Sequence, residues 1–242
     1  TKTVPGVFLT LIADAVANDF SPAALMALLK HPLTRLGLSV RDGRRAARVL
    51  ELGAVRTSYL GRGRDGVEAA LERAIRESQG GARRDRTFRR IPDVDVQAAR
   101  DLVQRLKLAV APLADVFGRF SDLFGTPKLW PLRTIAEAHV KAADAISLPP
   151  DDGAAPLVWQ GDAGEAANLF FTGLLQEGLR APAIAATDYP DFMRGLLQDE
   201  TVRPRVPVNR RVAIWGPFEA RLQQPDVVVL GSGAAGLSAA LA

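Results

Sequence analysis

The stretch 94–119 reads V-D-V-Q-A-A-R-D-L-V-Q-R-L-K-L-A-V-A-P-L-A-D-V-F-G-R, and it carries the longest helical pattern in this chain of 242 residues. Its apolar residues recur every three or four positions, a spacing that places side chains on one face of an α-helix. We expect a long helix with a break at Pro112, because proline lacks the amide hydrogen that a helix interior needs. The apolar positions are Ala98, Leu102, Leu106, Val110, Leu113, Val116 and Phe117, with Phe120 just beyond.

Similar patterns elsewhere predict a mainly α-helical body over residues 1–205, with about eight helices. Ser21 and Pro22 mark one helix start, since serine is a good N-cap and proline suits the first helical position. Asp162 is expected to cap another helix in the same way. The predicted helices span residues 3–16, 22–30, 44–52, 66–78, 94–119, 131–146, 165–179 and 189–197.

Strands are expected only after Arg211, in residues 206–242, where they would begin an α/β unit. Residues 212–215 and 227–230 are short apolar runs rich in β-branched side chains. The second run leads into G-S-G-A-A-G, which places Gly231, Gly233 and Gly236 at the G-x-G-x-x-G spacing. After a strand and before a helix, this pattern is typical of dinucleotide binding, with the pyrophosphate on the helix N-terminus.

The glycine pattern also resembles the start of a flavin-binding domain of the fumarate reductase and ketosteroid dehydrogenase type. FAD is therefore the cofactor that the last eleven residues suggest. The dinucleotide fold also uses an acidic residue about 20 positions further on, which binds the ribose. Only six residues follow Gly236 in this sequence, so we expect that this loop does not hold FAD by itself.

Positive charge is concentrated in residues 41–90, which hold fourteen arginines and seven acids, a net of +7 in a chain whose total is +4. Clustered arginines are the electrostatic signature of nucleic-acid binding. The alternative is an ordinary solvated surface. The candidate DNA-binding residues are Arg41, Arg44, Arg45, Arg48, Arg62, Arg64, Arg83, Arg84, Arg86, Arg89 and Arg90.

Several classes of function find no support in these residues. With no cysteine there is no disulfide, thiolate metal site or iron–sulfur cluster here, which fits a cytoplasmic location. No apolar run of about 18 residues predicts a membrane span, and no P-loop or hydrolase motif occurs. We interpret His31 and His139 as structural or surface residues. The adjacent aspartates at 151 and 152 are interpreted as part of a solvated turn. Trp130, Trp159 and Trp215 are interpreted as core or interface anchors rather than base-stacking platforms.

Three segments carry a resemblance to a known family. Residues 20–38 read F-S-P-A-A-L-M-A-L-L-K-H-P-L-T-R-L-G-L, residues 50–56 read L-E-L-G-A-V-R, and residues 211–231 read R-V-A-I-W-G-P-F-E-A-R-L-Q-Q-P-D-V-V-V-L-G. Together they resemble the AddB subunit of the alphaproteobacterial AddAB helicase–nuclease, over residues 4–231. The family continues after the last segment with a string like G-L-N-E-G-T-W-P, whereas this chain continues with Ser232 and Gly233. We therefore expect an internal fragment with a gene join at residue 232.

The resemblance implies a role in double-strand break repair and recombination. AddB-like subunits have a helicase-like fold and pair with an AddA-type motor subunit, and the complex uses ATP, magnesium and an iron–sulfur cluster. None of the family's catalytic residues falls in this chain, so the expected role is non-catalytic DNA gripping and contact with the partner subunit. The alternatives are the N-terminal part of an FAD-dependent oxidoreductase and a basic helical interaction module. No membrane partner is expected.

Overall fold

The computed structural model describes residues 3–56, 63–79, 90–117, 128–200 and 202. These residues form eight α-helices, which confirms the predicted helical body. The α/β unit expected in residues 206–242, with Gly231, Gly233 and Gly236, lies outside the described residues. The helices are α1 (Val4–Ala17), α2 (Pro22–Lys30), α3 (Val40–Leu50), α4 (Gly63–Gln79), α5 (Asp93–Phe117), α6 (Leu132–Ser147), α7 (Gly161–Glu177) and α8 (Tyr189–Asp199).

Helix α5 is the centre of one group of helices, because α3, α4 and α6 all pack against it. Its buried face carries Leu102, Leu106, Val110 and Leu113, each no more than 3% exposed. A second group of contacts joins α1 to α2, α7 and α8. Burial of these apolar faces is the main stabilising contribution, since each fully buried leucine or valine side chain contributes about 1.5–3 kcal/mol.

The expected break at Pro112 is wrong, because α5 continues through this residue to Phe117. A proline inside a helix removes one backbone hydrogen bond and costs about 3 kcal/mol. The buried side chains Ala109, Val110, Leu113 and Val116 lie on both sides of Pro112. Their packing against neighbouring helices offsets that cost, so a straight apolar face outweighs the local preference of proline.

The expectation that strands occur only after Arg211 is also wrong. Strand β1 (Leu129–Trp130) pairs antiparallel with β2 (Ile184–Ala185), with Leu129 opposite Ala185. Two residues are too short to show the alternating pattern by which a strand is recognised in sequence. The short ladder ties the segment before α6 to the segment before α8.

Helix α3 begins at Val40, four residues before the predicted start at Arg44. The reason is Ser39, whose hydroxyl accepts a hydrogen bond of 3.2 Å from the amide of Asp42 and so caps the helix. Helix α7 likewise begins at Gly161, which places Asp162 in its first turn rather than at the predicted N-cap. The early start of α3 matters most, because it brings Arg41 into the helix.

Candidate nucleic-acid interface

Four of the predicted arginines lie on one exposed face of α3, which we call the arginine face: Arg41, Arg44, Arg45 and Arg48. Their spacing of three, four and seven residues aligns them along the helix. The opposite face, which includes Ala46, Ala47, Val49 and Leu50, is buried. From Arg41 to Arg48 the helix rises about 10 Å, at about 1.5 Å per residue.

Three members of the arginine face make no hydrogen bond or ion pair within the described part of the chain. They are Arg41, Arg44 and Arg48, which we call the open arginines. The neighbouring acid on α3, Asp42, accepts a hydrogen bond of 2.6 Å from the Ser39 hydroxyl. An exposed guanidinium keeps its five N–H donors available to an external anion such as a phosphate.

The fourth member, Arg45, is held by Asp95 in the first turn of α5. Its Nε lies 2.6 Å from one carboxylate oxygen, and a terminal nitrogen donates to the other oxygen at 3.0 Å. This is a bidentate pair, the strongest geometry for an arginine and a carboxylate. The Arg45 side chain is 54% exposed and that of Asp95 only 12%. The pair therefore links the exposed face of α3 to the protein interior.

The structure describes two of the remaining predicted arginines, Arg64 and Arg90, and neither is on α3. Arg64 on α4 pairs with Asp115 at 2.9 Å, and one of its terminal nitrogens is buried with no hydrogen-bond partner among the described residues. Arg90 is exposed just before α5. Outside the described residues lie Arg62, Arg83, Arg84, Arg86 and Arg89.

Three acids of the arginine-rich segment form a row of ion pairs between α4 and α5, which we call the α4–α5 seam. Glu72 accepts hydrogen bonds of 2.7 and 3.0 Å from Arg100. Lys107 lies 2.8 Å from Asp65 and also pairs with Glu68. The sequence analysis did not identify these acids as functional candidates. The signal that could have identified them is the regular helical spacing of acids on α4 and of cations on α5.

These contacts shift the pKa values of several groups in the seam so that their charged forms are favoured. The hydrogen bond from Arg100 lowers the pKa of Glu72, and that from Lys107 lowers the pKa of Asp65. The hydrogen bonds to Asp65 and Glu68 raise the pKa of Lys107. The cations of the seam are therefore each paired with at least one acid, whereas the open arginines have no ion-pair partner within the described part of the chain.

Both histidines have structural surroundings. The His31 ring stacks on Phe8 with 5.1 Å between ring centroids, and burial lowers its pKa. His139 is fully buried, with Nδ1 3.0 Å from the Tyr189 hydroxyl. Burial lowers the pKa of His139 to about 4, an effect that the Leu9 backbone partly counters, although Nε2 has no hydrogen-bond partner among the described residues. A fully buried imidazole that packs edge-on against Phe171 and Tyr189 is placed for packing rather than for proton transfer to a substrate.

The tryptophans that the structure describes are both half-buried. The Trp159 indole nitrogen donates to Asp144 at 2.5 Å, and its ring packs edge-on against Phe171. The Lys128 ammonium lies 4.1 Å from the ring centre of Trp130. These contacts support their interpretation as anchors. Trp215 lies outside the described residues.

Two further findings bear on the class of protein. In the described parts of the chain, no group of three or more acids or histidines is arranged to hold a metal ion, and Asp151 and Asp152 are exposed. No helix among those the structure describes is long and apolar enough to cross a membrane. The arginine face is a helix surface that presents positive charge and can bind anions.

No protein-family model, curated protein or solved structure matches this chain.

Proposed function

We propose that this chain is a non-catalytic region that grips the DNA backbone, within an AddB-type subunit of a double-strand break repair helicase–nuclease. The observation that carries the proposal is the arginine face, with three of its four guanidiniums unpaired in the described part of the chain. Three sequence segments, at residues 20–38, 50–56 and 211–231, supply the biological context by their resemblance to AddB. A cytoplasmic location is part of this proposal.

The dimensions of the arginine face suit a phosphate backbone. Its length of about 10 Å corresponds to about three base-pair steps, at about 3.4 Å per phosphate along each strand. Guanidiniums on a helix contact phosphate oxygens without reading base edges, so the binding would be independent of sequence. Phosphate contacts release counterions, which makes such binding strongly dependent on salt.

The partner and cofactors follow from the resemblance alone. An AddA-type motor subunit would bind this chain, and the ATP, magnesium and iron–sulfur chemistry of such complexes would reside in other parts of the assembly. FAD remains the cofactor of the alternative, an oxidoreductase, which rests on Gly231, Gly233 and Gly236. A basic interaction module is the third reading, in which the arginine face binds an acidic protein surface.

Fluorescence anisotropy with a labelled DNA duplex bearing a single-stranded tail tests the proposal, with the salt concentration varied and two unrelated sequences compared. We expect equal affinity for both sequences. The logarithm of the association constant should fall linearly with that of salt, with a slope of about −2.7 for three phosphate contacts on duplex. Folded protein that does not bind at low salt would contradict the proposal.

A matched pair of single substitutions locates the binding. Arg44→Ala should reduce the magnitude of the slope by about 0.9, the contribution of one phosphate contact. Lys141→Ala removes one exposed cation from α6 and should leave the slope unchanged. Equal effects of the two substitutions would show binding to the net charge of the protein rather than to the arginine face. A flavin absorbance band without DNA binding would favour the oxidoreductase instead.

A further inference from the structure

Arg45 differs from its neighbours on the arginine face in one respect, which is its contact with Asp95. The other three guanidiniums can contact a phosphate. In Arg45, by contrast, Nε and one terminal nitrogen are bound by the two carboxylate oxygens of Asp95, at 2.6 and 3.0 Å. The pair carries no net charge. It therefore occupies the middle of a positively charged row without adding to that charge.

The surroundings of Asp95 favour the pair over its exchange for phosphate. The carboxylate lies in the first turn of α5, where the helix dipole stabilises negative charge. Its side chain is only 12% exposed, so salt screens the interaction with Arg45 weakly. Releasing Arg45 to a phosphate would leave a largely buried carboxylate without its partner, which is costly.

We propose that Asp95 limits the affinity of the arginine face for DNA by holding Arg45 as an internal competitor of phosphate. This inference rests on the proposed function, because it concerns the same surface and the same ligand class, the phosphate backbone. Asp95 is thus a positioning residue, which acts through Arg45 and does not itself touch DNA. A face with three open cations rather than four binds less tightly and releases DNA faster, which suits a surface past which DNA moves.

The variant Asp95→Asn tests the proposal, because asparagine keeps the shape of the side chain and loses its charge. The full chain is titrated with the labelled tailed duplex over a range of salt concentrations. We expect the slope to steepen from about −2.7 to about −3.6, the change for one additional phosphate contact, and the affinity to rise. An unchanged slope in a folded variant would overturn the proposal.

The double variant Arg45→Gln with Asp95→Asn removes both charges and leaves no buried ion without a partner. It should keep the slope of the unmodified chain, because a neutral pair is replaced by neutral groups. If the magnitude of the salt slope were smaller by about 0.9, Arg45 would already contact phosphate in the unmodified chain. That result would overturn the proposal even if Asp95→Asn failed to fold.

Asp191→Asn is the matched control for charge. It removes one exposed acid from α8, and its partner Arg194 keeps a second carboxylate, Asp14, at 2.6 Å. Its slope should equal that of the unmodified chain; a steepening equal to that of Asp95→Asn would assign the effect to net charge and overturn the proposal. Failure of the proposed function is distinct, since the unmodified chain itself would then show no salt-dependent binding.

Discussion

The arginine face of α3 and the α4–α5 seam come from the same charged segment, yet they use their charges in opposite ways. In the seam, Glu72 and Arg100 satisfy each other across two helices, as Asp65 and Lys107 do. On α3 the side chains of the open arginines form no ion pair within the parts of the chain that the structure describes, although Asp42 lies on the same helix. Three of the seven acids in the segment, Asp65, Glu68 and Glu72, are paired with cations of α5 rather than with the open arginines.

The difference shows that the net charge of a segment does not locate a binding surface. What matters is which charges remain uncompensated after the helices pack, since paired charges release no counterions when DNA binds. Ion pairs at a half-exposed helix contact contribute little stability individually, typically below about 1 kcal/mol. Their larger effect here is to pair these acids with Arg100 and Lys107, so that the acids do not neutralise the open arginines.

Removing the scaffold that both regions share should have the largest effect. Leu102 of α5 is buried beneath α3, and Leu102→Ala should reduce the free energy of unfolding by about 2–5 kcal/mol through the cavity that it creates. Urea unfolding followed by circular dichroism measures this change. Leu108 lies on the same helix and is 76% exposed, so Leu108→Ala should change the free energy of unfolding by less than about 0.5 kcal/mol. Equal losses would mean that α5 is not buried as described.

Between about pH 6.5 and 4, the pH dependence of stability should come mainly from a buried histidine. His139 has a folded pKa of about 4, below its ordinary value, so between about pH 6.5 and 4 only the unfolded chain binds the proton. Stability should therefore fall as the pH decreases through this window, by up to about 1.4 kcal/mol per pH unit.

Urea unfolding at a series of pH values separates this contribution. His139→Gln should flatten the pH dependence, and what remains should include His31, whose pKa burial also lowers. Tyr189→Phe should preserve the dependence, because desolvation rather than the hydrogen bond between His139 and Tyr189 is the main cause of the lowered pKa. A pH profile that is the same for His139→Gln and the unmodified chain would contradict this account.

Breaking the seam should lower stability slightly and leave DNA binding unaffected. Glu72→Gln is expected to cost less than about 1 kcal/mol at neutral pH, because about a third of the side chain is exposed and solvent screens the pair. The pKa of Glu72 is lowered in the fold, so its contribution is present at neutral pH and is lost as the pH falls through that lowered value.

Two measurements check the seam together. Urea unfolding should show a smaller effect for Glu77→Gln, the next exposed acid on α4, than for Glu72→Gln. The salt slope of DNA binding should be unchanged in both variants. A change of slope in Glu72→Gln alone would mean that Arg100, released from its partner, also contacts DNA.

The smallest effect on stability is expected from the arginine face itself. Replacing all three open arginines with alanine should alter the free energy of unfolding by no more than about 0.5 kcal/mol, because they are exposed and make no contacts that the fold requires. Alanine is also the best helix former, so α3 should be retained. A large loss of stability would show that these residues serve the fold rather than a ligand.

The sequence predicted the number of helices and most of the buried positions of α5, because amphipathic spacing persists over 25 residues there. It failed at Pro112, where tertiary packing overrides a local preference, and at β1 and β2, which are too short to show a period. Helix starts depended on single caps such as Ser39, and a four-residue error there hid the alignment of Arg41 with the rest of the arginine face.

The candidate site was predicted as a segment and not as a surface. Eleven arginines were equally good candidates in the sequence, because composition does not record which acids lie nearby after folding. Asp95 is 50 residues from Arg45 in the chain, and only the packing of α3 on α5 brings them together. A search for long-range acid partners needs the fold first.

The most direct test of the account compares two triple variants that lose the same charge. One variant replaces the three open arginines with glutamine. The other variant replaces three exposed cations outside α3, also with glutamine: Arg133, Lys141 and Arg180. On the same labelled duplex, the account predicts that the first variant loses a salt slope of about 2.7 and the second loses almost none. Equal losses in the two variants would contradict it, since DNA would then respond to total charge and not to the uncompensated arginines of α3.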